Sequence, residues 1–135
     1  MNLIVLYKED IHDGKAEITG KKLEHILSHI RPVEGDTLKA GILNGPAGEG
    51  VVTEISGQRL VLSLTLNDTP PRPLPLKLII AMPRPKVLNR AIQHAASMGV
   101  KEIYIIKTWR VEKSYWDTPM LGEENLHRQM ITGLE

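Results

Sequence analysis

Apolar residues recur along this chain in two rhythms, and the change between them falls at one place. In the first half the period is mostly two. Leu3 to Tyr7, Thr37 to Leu43 and Val51 to Ile55 read as short strands, and in Arg59 to Leu66 the residues Leu60, Leu62, Leu64 and Leu66 alternate with less apolar neighbours. One helical segment interrupts them: Thr19 is placed to cap a helix running to about His29, with Leu23, Ile26, Leu27 and Ile30 on one face and Pro32 as its stop. Gly45 to Gly50 and Ser56-Gly57 supply turns. Short strands, glycine-rich turns and one helix predict a small barrel-like β domain over residues 1–68.

The run from Thr69 to Pro75, TPPRPLP, carries four prolines in seven residues, which excludes helix and central strand and predicts a stiff extended linker. Beyond it, over residues 76–135, the rhythm changes. An apolar strand, Leu76 to Ala81, leads into a helix from about Lys86 to Met98, and a second strand follows at Glu102 to Ile106. Val87, Leu88, Ala91, Ile92 and Ala95 give that helix its packing face and Gly99 suits its end, so the segment is a βαβ unit with two parallel strands. A last helix begins near Glu123, after Pro119 and Gly122, and runs towards Glu135. Two parallel strands bury little apolar surface and leave both edges unpaired, so the expectation is an α/β domain that is unfinished at Glu135.

Composition narrows the class without choosing a function. With 135 residues, 41% apolar and 24% charged, the chain is globular in character, and the absence of cysteine excludes disulfides, thiolate zinc sites and a catalytic thiol. Its longest apolar runs are far short of the ~20 residues that span a bilayer, and Met1 to Tyr7 lacks a basic secretory start, so a cytoplasmic protein without membrane association is expected. The net charge of +1 conceals an asymmetry. The first 68 residues hold seven Lys/Arg against ten Asp/Glu, whereas the remaining 67 hold ten against six. A polyanion would meet the second half first.

Candidate chemistry follows the same division. No P-loop and no G-x-G-x-x-G fingerprint is present, and GPAGEG is explained by a hairpin between two strands. His25 and His29 lie one helical turn apart, a metal-chelating spacing, but no third ligand is near in sequence; solvated imidazoles are expected and no metal. Arg84, Lys86 and Arg90 stand where the first strand of the second half enters its helix, and Arg110 and Lys113 follow the next strand. In an open parallel sheet these are adjacent carboxyl ends, where ligands bind. Arginine offers fork-shaped donors to phosphate; Trp109, Tyr115 and Trp116 would either stack on an exposed base or pack internally. The pattern alone also allows a solvated basic rim.

Two stretches carry a resemblance. LEHILSHIRPVEGD, residues 23–36, resembles the amino-terminal motif of the RsmE family of ribosomal RNA uridine methyltransferases, with His25, Arg31, Gly35 and Asp36 on its positions. AMPRPKVLNRAIQHAASMGVKEI, residues 81–103, is similar to the family's strand, basic turn and helix, matching at Arg84, Gln93, Ala95, Gly99 and Val100; Arg110 matches the arginine closing the next strand. His94 and Ser97 replace a usual lysine and glutamate, and Pro85 a usual glycine. Glu135 looks like the start of the Glu-Gln and Gly-Arg signature. The resemblance implies an α+β chain: a PUA-like β-barrel followed by the first part of a SPOUT-type α/β domain, with the knot region absent. It further implies S-adenosylmethionine-dependent methylation of N3 of a uridine in 16S rRNA of the small ribosomal subunit. The enzyme is expected to be a homodimer, and its cofactor site to lie in the missing carboxyl-terminal part. RNA contact is assigned to Arg84, Lys86, Arg90, Arg110 and Lys113, with His25 and Arg31 secondary; no residue stands out as a catalytic base. A non-catalytic RNA-binding or ribosome-associated module complete at Glu135, and a purely structural dimerisation domain, are the competing readings.

Overall fold

The computed structural model describes residues 3–70 and 72–135, so Met1, Asn2 and the Pro71 position of the linker lie outside the described residues. The chain divides into two compact units, the second spanning Arg72–Leu134. Each is described by itself.

The first unit is built on six strands: β1 (Ile4–Leu6), β2 (Ile11–His12), β3 (Lys15–Ile18), β4 (Thr37–Ile42), β5 (Ala47–Ile55) and β6 (Leu60–Asp68). They form one sheet in the order β1-β4-β5-β6-β3-β2, in which only the β1–β4 pairing is parallel. The end strands β1 and β2 do not pair with each other, so the sheet is a curled half-barrel. Helix α1 (Gly20–His29) lies in the chain between β3 and β4. Its Leu23 and Ile26 are buried, and Leu27 and Ile30 pack against the same core, the face expected from their spacing. That core takes Ile4 and Leu6 from β1, Ala16 and Ile18 from β3, Ala40 from β4, Val52 from β5, and Leu60 and Leu62 from β6. Alternation along β6 holds, with Leu60 and Leu62 buried and Leu64 and Leu66 partly so.

Three details differ from the sequence reading, each for a local reason. Thr19 occupies the N-cap of α1, but its hydroxyl makes no capping bond. The helix ends at His29, as expected, three residues before Pro32, and Arg31, at φ +54°, donates its N–H to Ile26 O at 3.1 Å. The β2–β3 hairpin was not anticipated, although its two-residue loop, Asp13-Gly14, has positive φ at both positions, as a type I′ turn requires. Finally, residues 47–50 are not turn but the start of β5, because the reversal is completed at Asn44 and Gly45, with Asn44 at φ +59° and Gly45 N–H bonded to Ile42 O. Gly48 sits at a register shift in β5, where a Cβ would fall 2.1 Å from Thr65 O. Glycine there permits close strand approach at a bulge.

The second unit contains β7 (Lys77–Ala81), α2 (Pro85–Ser97), β8 (Glu102–Ile106) and α3 (Glu123–Leu134), with short 3-10 turns at Lys113–Asp117 and Pro119–Leu121. Strands β7 and β8 are parallel and in register from Lys77↔Glu102 to Ala81↔Ile106, which is the βαβ arrangement expected from the sequence. The linker is free of helix and strand where described, yet Leu74 N–H donates to Gly99 O at 3.3 Å, tying its second half to the end of α2. Leu88, Ile92 and Met82 form the core of this unit, joined by Ile105, Val111, Tyr115, Trp116, Leu121 and Leu126. Helices α2 and α3 meet through a polar ladder: Gln93 Nε2 donates to Gln129 Oε1 at 2.6 Å and Asn125 Nδ2 to Asn89 Oδ1 at 3.2 Å. Gln129 is buried, so its amide is satisfied inside the contact, as burial of a polar group requires. Among the described residues, no helix is long and apolar enough to cross a membrane.

Candidate functional site

Ala81 and Ile106 end the paired region of the two parallel strands, and Met82 N–H bonds to Ile106 O at 3.1 Å, locking the two strand exits side by side. From the first exit the chain runs Pro83-Arg84-Pro85. A residue before proline is held extended, and Arg84 has φ −54° and ψ 139° as the N-cap of α2, with Pro85 at the first helical positions. Its carbonyl accepts from Val87 N–H and Leu88 N–H, so the backbone is fixed while the guanidinium remains exposed. The first turn of α2 contains no acidic residue. Arg84 and Lys86 therefore add to the positive end of the helix dipole rather than cancelling it.

From the second exit the chain runs Lys107-Thr108-Trp109-Arg110, and Val111 N–H closes a turn onto Thr108 O at 3.2 Å while its side chain joins the core. Trp109 and Arg110 occupy the tip of that turn. The Arg110 guanidinium carbon lies 4.5 Å from the centre of the Trp109 ring, and Trp109 is 87% exposed. Tyr115 and Trp116 do the opposite and pack on the core, so the two fates that the sequence left open for the aromatic group are divided among its members.

Of the seven residues expected to face RNA, the strand exits bring Arg84, Lys86 and Arg110 to one end of the small sheet, while Lys113 lies further along the chain, at the start of the 3-10 turn Lys113–Asp117. Arg90 shares the exposed stripe of Lys86, one turn on, but stands six residues along α2 from Arg84, about 9 Å at helical rise. All five side chains are exposed and, among the described residues, none enters an ion pair or a side-chain hydrogen bond. Lys107, also exposed, is a further cation at the same exit; its place immediately after a parallel strand was the available signal.

His25 and Arg31 belong to the first unit. Both are exposed, and the His25 ring stacks on His29 at 4.1 Å between centroids, while His29 Nδ1 lies 2.7 Å from Ser28 Oγ. No group of three potential metal ligands occurs among the described residues. Gly35 and Asp36 act through the backbone: the Asp36 carboxylate accepts from Val33 N–H at 2.8 Å, and Gly35 N–H and Asp36 O bond to Val52 of β5. Their part of the motif is a turn anchor.

On the face of the sheet turned from its core, Ile79, Tyr104 and Ile106 are exposed. Tyr104 donates to Glu102 Oε2 at 2.9 Å, and this bond, with the carboxylate's charge, pushes the phenol above its ordinary pKa.

Residues 70–135 match the model of the RNA methyltransferase domain. Over 138 aligned positions the chain is 30% identical to ribosomal RNA small subunit methyltransferase E of Treponema pallidum (strain Nichols), using all of this chain and 52% of that protein. It thus spans about half the length of the curated relative it matches. Two solved structures share its fold. Ribosomal RNA small subunit methyltransferase E from Neisseria gonorrhoeae, bound to S-adenosyl methionine, aligns over 98% of this chain and 56% of its own at 14% identity and a TM-score of 0.67. A probable rRNA-methyltransferase from Porphyromonas gingivalis aligns over 97% and 54% at 18% identity and the same TM-score. The resemblance carried by the two motifs is borne out by the domain match over the second half and by a relative aligned along all of this chain.

Proposed function

We propose, from the match of residues 70–135 to the RNA methyltransferase domain, that this chain is the RNA-engaging portion of an enzyme that methylates N3 of a uridine in 16S rRNA of the small ribosomal subunit. The observation that carries the reading is the unpaired basic end of the β7–β8 sheet. Three exposed cations, Arg84, Lys86 and Arg110, stand at two exits that a main-chain hydrogen bond locks together, and exposed Lys113 follows on the next 3-10 turn. Unpaired guanidinium groups on rigid turns suit a phosphate backbone, and parallel strand ends are where α/β sheets receive ligands.

The methyl donor is S-adenosylmethionine, which supplies an electrophilic methyl group on a positively charged sulfur. The described residues do not by themselves fit it: the strand exits concentrate positive charge, which repels a sulfonium, and the concavity at α3, lined by Leu121, Glu123, Glu124, Leu126, His127 and Met130, is an open groove that would not enclose the donor. The donor site is therefore assigned to sequence corresponding to the other half of the relatives. With it belong the SPOUT-type knot and the greater part of a homodimer contact, while the half-barrel is taken as PUA-like, with His25 and Arg31 as secondary RNA contacts. The setting is the cytoplasm, where ribosomal RNA is available.

The test is methyl incorporation into small-subunit RNA from labelled S-adenosylmethionine, with the product base located by reverse transcription. N3 lies on the Watson–Crick edge of uracil, so methylation there arrests copying. The 135-residue chain is expected to bind the RNA in a salt-sensitive manner and transfer nothing, and a chain extended by the second half of such a relative to produce one strong arrest at a uridine. Arrest at another base, or no affinity for RNA, overturns the reading.

A further inference from the structure

Trp109 is the most exposed large apolar side chain of the described residues, at 87%, and it contributes nothing to the core that its neighbours build. Its carrier is nonetheless rigid: Val111 is anchored in that core and bonds back to Thr108 O, so the turn tip is pinned on both sides. Arg110 lies against the indole at 4.5 Å, and the high exposure of the ring leaves another face open. Exposing an indole has a cost in water that the fold does not recover, and a stacked arginine raises the positive potential beside the ring. Cations without carboxylate partners surround it in sequence and at the neighbouring strand exit, at Arg84, Lys107 and Lys113.

We infer that Trp109 is a stacking platform for an unpaired RNA base, backed by Arg110 and flanked by phosphate-binding cations. This rests on the proposed RNA-engaging function and names the part of the ligand the turn takes: a single-stranded nucleotide, since a base within a duplex has no free face to offer. Unpaired bases stacked on aromatic rings, with cations along the backbone, are the general solution for single-stranded nucleic acid.

The chain has only two tryptophans, and they differ in setting: Trp116 packs in the core and Trp109 does not. Intrinsic fluorescence therefore reports on the inference directly. Titration with a short single-stranded oligouridylate should quench emission, and duplex RNA of equal length should leave it nearly unchanged. Trp109→Leu should abolish the quench and weaken oligouridylate binding by about 5- to 150-fold, the range for one lost base stack, while leaving the salt slope and the thermal midpoint as they were. Trp109→Phe, which keeps a π-face, should recover most of the affinity. If the parent chain binds oligouridylate and Trp109→Leu binds it equally well, or loses single-stranded and duplex binding in the same proportion, the stacking inference falls and the RNA reading stands. If the parent binds neither RNA at any salt concentration, both fall.

Discussion

Replacing Arg84 and Arg110 together with glutamine removes one cation from each strand exit without touching the core, since both side chains are exposed and neither makes an ion pair among the described residues. If Arg84, Lys86, Arg90, Arg110 and Lys113 each neutralise one phosphate of a single strand, log K falls against log salt with a slope of about −3.5, at roughly 0.7 per contact. The double variant should fall with a slope of about −2.1. Between 50 and 200 mM salt the parent would then lose about 130-fold in affinity and the variant only about 18-fold. Fluorescence anisotropy with a labelled single-stranded fragment of small-subunit RNA, repeated across that range, measures both slopes. The thermal midpoint is the control, because exposed substitutions of this kind usually change stability by less than about 0.5 kcal/mol. Weaker binding with an unchanged slope would refute phosphate contact by these two arginines, since the lost affinity would then have a non-ionic origin.

Gly133→Ala places a Cβ 2.2 Å from Gln93 O, so α3 must lift from α2, and about 1–3 kcal/mol of overpacking should outweigh the roughly 1 kcal/mol gained in helix propensity; thermal unfolding should show a lower midpoint, whereas Gly57→Ala, with nothing within 4 Å of its Cβ, should not. Gly48→Ala meets Thr65 O at 2.1 Å and should destabilise the half-barrel, read as faster amide exchange in β5 and β6. One phenol should titrate above the ordinary tyrosine range in an absorbance titration, and Glu102→Gln should bring it down. Because the Tyr104 value is raised in the folded chain, its small contribution to stability is present below the unfolded pKa and is lost as pH rises through the folded one.

The elements that could be read from the sequence were those whose signal is local and repeated. β6 declares itself through Leu60, Leu62, Leu64 and Leu66, and α2 through Leu88, Ile92 and Ala95, because a period survives whatever the strand or helix finally packs against. The β2–β3 hairpin escaped because its strands are two and four residues long, too short to show a period; Asp13-Gly14 was the legible sign. Residues 47–50 were misread for the opposite reason. AGEG has the composition of a turn, yet Gly48 and Gly50 are there because β5 passes close to Thr65 and Leu62 of its neighbour, a tertiary demand that composition cannot distinguish from a reversal.

The same limit decides how much of the site was visible. That Arg84 and Arg110 meet at one end of a sheet follows from topology alone, since a βαβ unit must bring the carboxyl ends of its two strands together, and the register Ala81↔Ile106 realises it. That Arg90 stands apart follows equally from helical rise. What topology could not assign was the aromatic group. Trp109 and Trp116 are the same residue type seven positions apart, and only the pinning of Val111 in the core, which turns residues 109 and 110 outward and later returns Tyr115 and Trp116 inward, separates a ring held for a ligand from a ring held for the fold. A substitution that released Val111 would therefore act on the proposed platform without touching it. Val111→Ala should leave the indole and its arginine in place chemically, yet loosen the turn and weaken single-stranded binding while the salt slope stays constant; an unchanged oligouridylate affinity would show that the rigidity of the turn is not part of recognition.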